Sequence, residues 1–280
     1  MSNSTVNFTT PEASTNSTTH SFGLMDSLEM YAFCICFLFG FLINSKIAWL
    51  IITGTGNGVA SEFFNLNLSV CEIGNSLNAM FGILIFFFSS FIIVTYFLQG
   101  LGITGRPLFH CLMCVERYLA VVHPVTFLKY KPLRYRVICC TAAWIIIIGS
   151  CLFCAFILIL SSMVSYVCFI SIQSLLFFFT QLFCLVAVLI ALKQSGPGER
   201  KREEKNHMKR RAFYIILITT VIMTIQYAQF TVTGFFVILT QKSFLDFWCP
   251  AFPCYVLAGF VQPILYLQRA RKLFCLSSSS

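Results

Sequence analysis

Long apolar runs alternate with short polar or charged segments along the whole chain, and the spacing predicts membrane-crossing helices. A bilayer core needs roughly 20 apolar residues in a helix to cross it. The first such run extends from Met30 to Thr53 and ends in the breaker-rich Gly54-Thr-Gly-Asn-Gly58. The second and third share the charge-free stretch 73–105, with Ser89-Ser90 as the candidate turn between them. Residues 137–192 contain no Asp, Glu, Lys or Arg, enough for two spans and an outer loop near Ser161–Tyr166. A sixth run covers Ala212 to Leu239, and a seventh covers Phe247 to Leu267. The expectation is an all-α membrane protein: a seven-transmembrane helix bundle over 29–267, preceded by a tail at 1–28. A short amphipathic eighth helix and tail follow at 268–280.

Charge distribution sets the orientation. Of the 19 Lys and Arg residues, 16 lie after span three, between spans five and six, or after span seven. The positive-inside rule assigns these segments to the cytoplasm. The polar tail lies on the opposite side and holds three Asn-x-Ser/Thr sites, at Asn3, Asn7 and Asn16. Glycosylation there requires an outer tail, and an odd number of crossings satisfies both constraints. The reading is a multi-pass plasma-membrane protein with its N-terminus outside and its C-terminus in the cytoplasm. The tail lacks a basic-then-apolar start, so span one is read as its own anchor.

Composition narrows the class. Hydrophobic residues make up 58% of the 280 positions and charged residues only 10%, against about 25% in soluble domains. A net charge of +9 would suggest nucleic acid in a soluble chain; here the basic residues fall in blocks between apolar runs, excluding that reading. The blocks face anionic membrane lipid. Most of the 14 Cys residues lie within apolar runs, where Cys behaves as a small hydrophobe. Their spacing has no metal-binding pattern and predicts no zinc or other cofactor. Cys275, in the amphipathic segment 268–276, is a palmitoylation candidate. No Ser/His/Asp set, zinc-protease motif or phosphate loop occurs, so the chain is not read as an enzyme.

Polar exceptions inside the apolar runs carry the functional argument, because an intramembrane charge is costly. Lys46, Glu72 and Arg106 stand out. Lys46 is close enough to a span end to snorkel. Arg106 lies about 16 Å along the helix before Arg117, too deep to reach water easily. Pro107 next to it removes an internal hydrogen bond and predicts a kink. Glu116 and Arg117 close the same run at the inner face, as a stop signal or as a switch.

These features together resemble the rhodopsin-like (class A) G-protein-coupled receptors. Gly40-x-x-x-Asn44 is similar to the family's span-one signature, and Asn65-Leu-Asn-Leu-Ser-Val-Cys-Glu72 to its span-two run. Glu116-Arg117-Tyr118 resembles the Asp/Glu-Arg-Tyr motif, and Val122-His-Pro124 the loop after it. Trp144 stands at the family's span-four Trp, and Gln262-Pro263-Ile-Leu-Tyr266 is similar to Asn-Pro-x-x-Tyr. The resemblance implies a switch built from Glu116, Arg117, Tyr118, Gln262, Pro263 and Tyr266. It also implies a polar core at Asn44, Glu72 and Arg106. The family places a sodium ion beside the span-two carboxylate; here Arg106 is expected to pair with Glu72 in its place. The alternative is an Arg106 that reaches a water pocket.

Departures from the family pattern are equally specific. The family's span-three cysteine is replaced by Ile92, which leaves Cys168 without its usual disulfide partner. Gln226-Tyr-Ala-Gln229 stands where the Cys-Trp-x-Pro signature would be, and span five lacks its proline. Lys209-Arg-Arg211 offers no carboxylate to Arg117, which predicts a weakly restrained switch with some basal activity. The implied function is a receptor for an unknown extracellular small ligand, acting on a heterotrimeric G protein at the cytoplasmic face. Tyr96, Gln99, Tyr227 and Gln229 are the candidate ligand contacts. The competing readings are a signalling-deficient or decoy receptor, and a small transporter or channel using Lys46, Glu72 and Arg106.

Overall fold

The computed structural model describes residues 24–53, 62–130, 133–160 and 163–193. It also describes individual positions between 213 and 240 and between 259 and 266. Among the described residues the regular structure is entirely helical. The elements are α1 (Leu24–Thr53), α2 (Phe63–Ile85), α3 (Ile92–Gly100), α4 (Arg106–Val122), α5 (Pro124–Tyr130), α6 (Leu133–Ile159) and α7 (Met163–Lys193). Four described stretches are long and apolar enough to cross a membrane: Met30–Thr53, Phe63–Ile85, Leu133–Ile159 and Val164–Ala191. The described positions between 213 and 240 are helical, as are those between 259 and 266.

Helix α1 begins at Leu24, inside the stretch assigned from the sequence to the outer tail. A 3₁₀ turn at Ser89–Phe91 separates α2 from α3, where the sequence places a serine turn. The α6–α7 connection is shorter than expected. Residues 163–166, read as loop, already belong to α7, and Tyr166 is buried. Hydropathy does not separate a polar loop from a helix start carrying one Ser and one Tyr, because both residues are cheap at a membrane boundary.

The stretch read from the sequence as span three is built from three helical segments. Helix α3 runs into a π-helical turn at Leu101–Gly105, which runs into α4. The Arg106 N–H reaches back to the Leu101 carbonyl, one residue further than in an α-helix. Pro107 cannot donate a backbone hydrogen bond, and the widened turn is how the chain accommodates it. The sequence-predicted disruption therefore takes the form of a π turn just before the proline. This turn separates two packing partners: α3 lies against α6, and α4 lies against α7.

Close approach at these crossings depends on small side chains. A Cβ on Gly100 would stand 2.6 Å from the Cys151 Cα, and one on Gly105 would stand 2.4 Å from the Cys71 Sγ. The main apolar cluster forms around that crossing, from Phe64, Leu68, Cys71, Phe109, Met113 and Ile147 among others. The outward faces of α6 and α7 remain apolar as well, with Ile145, Leu152, Phe156, Ile172 and Phe179 exposed. A helix apolar all round belongs in a low-dielectric solvent.

Polar groups within the bundle bond to one another. The Thr104 hydroxyl donates to Gln173 Oε1 at 2.9 Å and bonds Ser150, linking the π turn to α6 and α7. Trp144 Nε1 donates to Asn67 Oδ1 at 2.9 Å, tying α6 to α2, while its ring meets Phe109 edge-on. With no water in the hydrocarbon, each such bond removes an otherwise unsatisfied group.

Candidate functional site

Glu72 lies in the middle of α2 and Arg106 at the start of α4, and the two meet in the bundle interior. Arg106 Nε bonds Glu72 Oε1, and an Arg106 terminal nitrogen donates to Oε2 at 2.7 Å. Both side chains are buried, 4% exposed for Arg106 and 8% for Glu72. The fork geometry satisfies both carboxylate oxygens and keeps the buried site electrically neutral. Gly259 contributes the space: a Cβ there would stand 3.0 Å from the Arg106 guanidinium.

Two small cavities border this pair. One, about 20 Å³, is lined by Asn44, Glu72, Arg106, His110, Pro263 and Tyr266, with neighbouring residues. The other, about 30 Å³, is lined by Asn44, Asn75, Ser76 and the same ion pair, together with Cys36 and Phe260. Each has room for a water molecule. Asn44 donates its amide to the Gly40 carbonyl at 2.8 Å and lines both cavities. His110 Nδ1 is buried without a protein partner, so the adjoining cavity is where a water can reach it.

The sequence-predicted core residues Asn44, Glu72 and Arg106 are thus brought together, and Pro263 and Tyr266 join them from the later part of the chain. Gln262 lies outside the described residues, as do Tyr227, Gln229, Cys275 and the tail residues Asn3, Asn7 and Asn16. Tyr96 and Gln99 are half-buried on α3; neither lines the cavities at the ion pair. Lys46 is exposed on α1 and does not join the ion pair. Cys168 is a free, exposed cysteine on α7. The basic segment at 194–211 is also outside the described residues.

At the far end of α4 the structure adds a partner that the sequence reading did not name. The Glu116 carboxylate, next to Arg117 in the sequence, bonds the Arg136 guanidinium of α6. Arg136 is buried despite standing in a basic segment. Two residues turn the helix by about 200°, so Arg136 faces inward to Glu116 while Arg134 remains exposed. Tyr118 bonds His123 at 3.1 Å and packs against Phe183 of α7. Glu116 is thereby tied to α6, and Tyr118 to α7 and to the α4–α5 break.

The chemistry of these two clusters is electrostatic rather than catalytic. A buried ion pair with two hydrogen bonds holds the bundle centre, and a second carboxylate–guanidinium contact sits at one end. Among the described residues no group of three or more His, Cys, Asp or Glu is placed to hold a metal ion.

Helices of this length and hydropathy make the chain a helical membrane protein. It is 24% identical over 250 residues to the C-C chemokine receptor type 8 of Homo sapiens, across 76% of this chain and 64% of that receptor. The chain therefore spans less than two thirds of that relative's length. No family model matches the sequence. The similarity is to a receptor, not to an enzyme, and is consistent with a receptor-like membrane protein.

Proposed function

We propose that the chain is a seven-helix receptor of the rhodopsin-like class, with a short amphipathic eighth helix after the bundle. An extracellular ligand binds at the outer end, and a heterotrimeric G protein is activated at the cytoplasmic face of the plasma membrane. The observation that carries this reading is the single cavity shared by Asn44, Glu72, Arg106, Pro263 and Tyr266. Asn44, Glu72, Pro263 and Tyr266 come from three separate stretches of the sequence that resemble receptor motifs, and Arg106 is the residue expected to pair with Glu72. A set gathered by chance would have no reason to face one another.

In this reading Arg106 takes the place of a bound cation beside Glu72, and the centre of the bundle carries its own counter-charge. The Glu116–Arg136 contact is a restraint on the inner end that the sequence reading lacked. It supports a lower basal activity than an unrestrained switch would give. The ligand is a small neutral or apolar molecule; a chemokine, suggested by the name of the similar receptor, is the other ligand class.

A G-protein activation assay against ligands of both classes tests the proposal. Activation that disappears in Arg117→Ala at equal surface expression is the expected result. Transport or ionic current without G-protein coupling would overturn it. A signalling-deficient receptor is the second reading, favoured by α7 running from Met163 to Lys193 without a proline. It predicts surface expression with no activation by any ligand.

A further inference from the structure

A separate cavity of about 290 Å³ lies between α7 and the described positions 224–232, away from the ion pair. Its lining is mainly apolar and contains no charged residue. Leu175 and Val232 stand on its walls and are 55% and 67% exposed. In a helix bundle that crosses a membrane, exposed apolar side chains face hydrocarbon, so the mouth opens to the bilayer. The volume is at the lower end of the range for small-molecule sites.

Three of the polar side chains on the walls already spend a donor elsewhere. The Ser174 hydroxyl donates to the Ile170 carbonyl. The Thr224 hydroxyl donates to the Thr220 carbonyl at 2.8 Å. The Gln181 amide nitrogen is directed to the Cys111 sulfur at 3.6 Å. These donors are engaged, and the corresponding oxygens retain lone pairs. Gln181, only 1% exposed, leaves its Oε1 without any partner. A buried unsatisfied acceptor is costly in this environment.

We infer that this cavity is a binding site for a neutral lipid alcohol of the sterol type, entering from the bilayer. A rigid apolar body fills the cavity, and its single hydroxyl donates to the acceptors at the inner wall. Gln181 Oε1 is the principal acceptor, reached by a small rotation of its amide. The lining holds no Lys, Arg or His to draw an anion and no carboxylate to draw a cation. The inference does not depend on G-protein coupling, because binding is measured without a signalling readout.

The test uses the full chain in phosphatidylcholine vesicles with a photoreactive, alkyne-bearing cholesterol analogue. Labelled peptides are mapped by mass spectrometry. Labelling is expected to concentrate in 174–181 and 224–232. Cholesterol should compete about 3- to 10-fold better than the same sterol skeleton without its hydroxyl, the range expected for one hydrogen bond. Val232→Trp, which fills the lipid-facing mouth, should remove labelling there without changing the melting temperature. Labelling spread evenly over the exposed helix faces, or equal competition by the hydrocarbon, overturns the inference. Unchanged labelling in Val232→Trp does so as well.

Discussion

Neutralising one member of the Glu72–Arg106 pair should be far worse than neutralising both. At the 2.7 Å contact, and with an effective dielectric of about 20, the attraction is about 6 kcal/mol. Desolvating the two ions costs several kcal/mol each, so the intact pair adds little net stability. Glu72→Gln leaves a guanidinium in the bundle with no counter-charge, and Arg106→Gln leaves a bare carboxylate. Each single change should cost about 3–5 kcal/mol, lowering the melting temperature by roughly 10 °C. The double change Glu72→Gln/Arg106→Gln leaves two amides that can bond each other and should recover most of that loss. A thiol-reactive fluorophore is a suitable probe, because seven described cysteines are buried and free, among them Cys71, Cys111 and Cys151. Single losses that simply add in the double variant would refute the pairing argument. So would a double variant less stable than either single.

Gly100→Ala places its Cβ against the Cys151 backbone, which cannot move aside as a side chain can, and should cost about 1–3 kcal/mol. Gly149→Ala, with nothing within 4 Å of the new Cβ, should be neutral or slightly stabilising in the same melt. Equal behaviour of the two would contradict the close crossing of α3 and α6. Trp144→Phe keeps the ring contact with Phe109 but strands Asn67 Oδ1, and should lower stability by about 1 kcal/mol; no shift would show that the bond contributes nothing. For the proposed switch, Glu116→Gln and Arg136→Gln should raise ligand-independent G-protein activation equally, and the double variant no further. A rise confined to Glu116→Gln would make Arg136 a bystander.

How much of this was legible in the sequence depended on what competed with each signal. The apolar runs corresponding to α1, α2, α6 and α7 were plain because a bilayer imposes length and hydropathy together. Glu72 and Arg106 stood out, with Lys46, as rare charges in apolar stretches, and the resemblance to the receptor family is what suggested pairing the two. Arg136 was not readable, since it is one of several basic residues near Arg117, and only the helical phase of α6 turns it inward. The start of α7 at Met163 was missed because Ser and Tyr suit a loop and a helix end equally. The π turn at Leu101–Gly105 had a hint in Pro107, but a kink would have relieved the proline equally well; packing against α6 decides between them. The cavity beside Gln181 left no trace, because the acceptor becomes an orphan only when its neighbours are in place.

The π turn also alters how positions in span three should be counted. An extra residue in one helical turn shifts everything above it by about 100° relative to a continuous α-helix. Helix α3 therefore presents faces displaced by one residue from those inferred by counting back from Arg117. The position that counting assigns to Ile92 is occupied in space by its predecessor, Phe91, and neither is a cysteine. Deleting one residue between Leu101 and Gly105 would remove the extra residue, leave a proline kink at Pro107 and rotate Tyr96 and Gln99 to a different side of the bundle. α4 would keep its phase against α7. The two halves of this helix are therefore separately adjustable: the outer half can be re-aimed by a single-codon change that leaves the inner half in register.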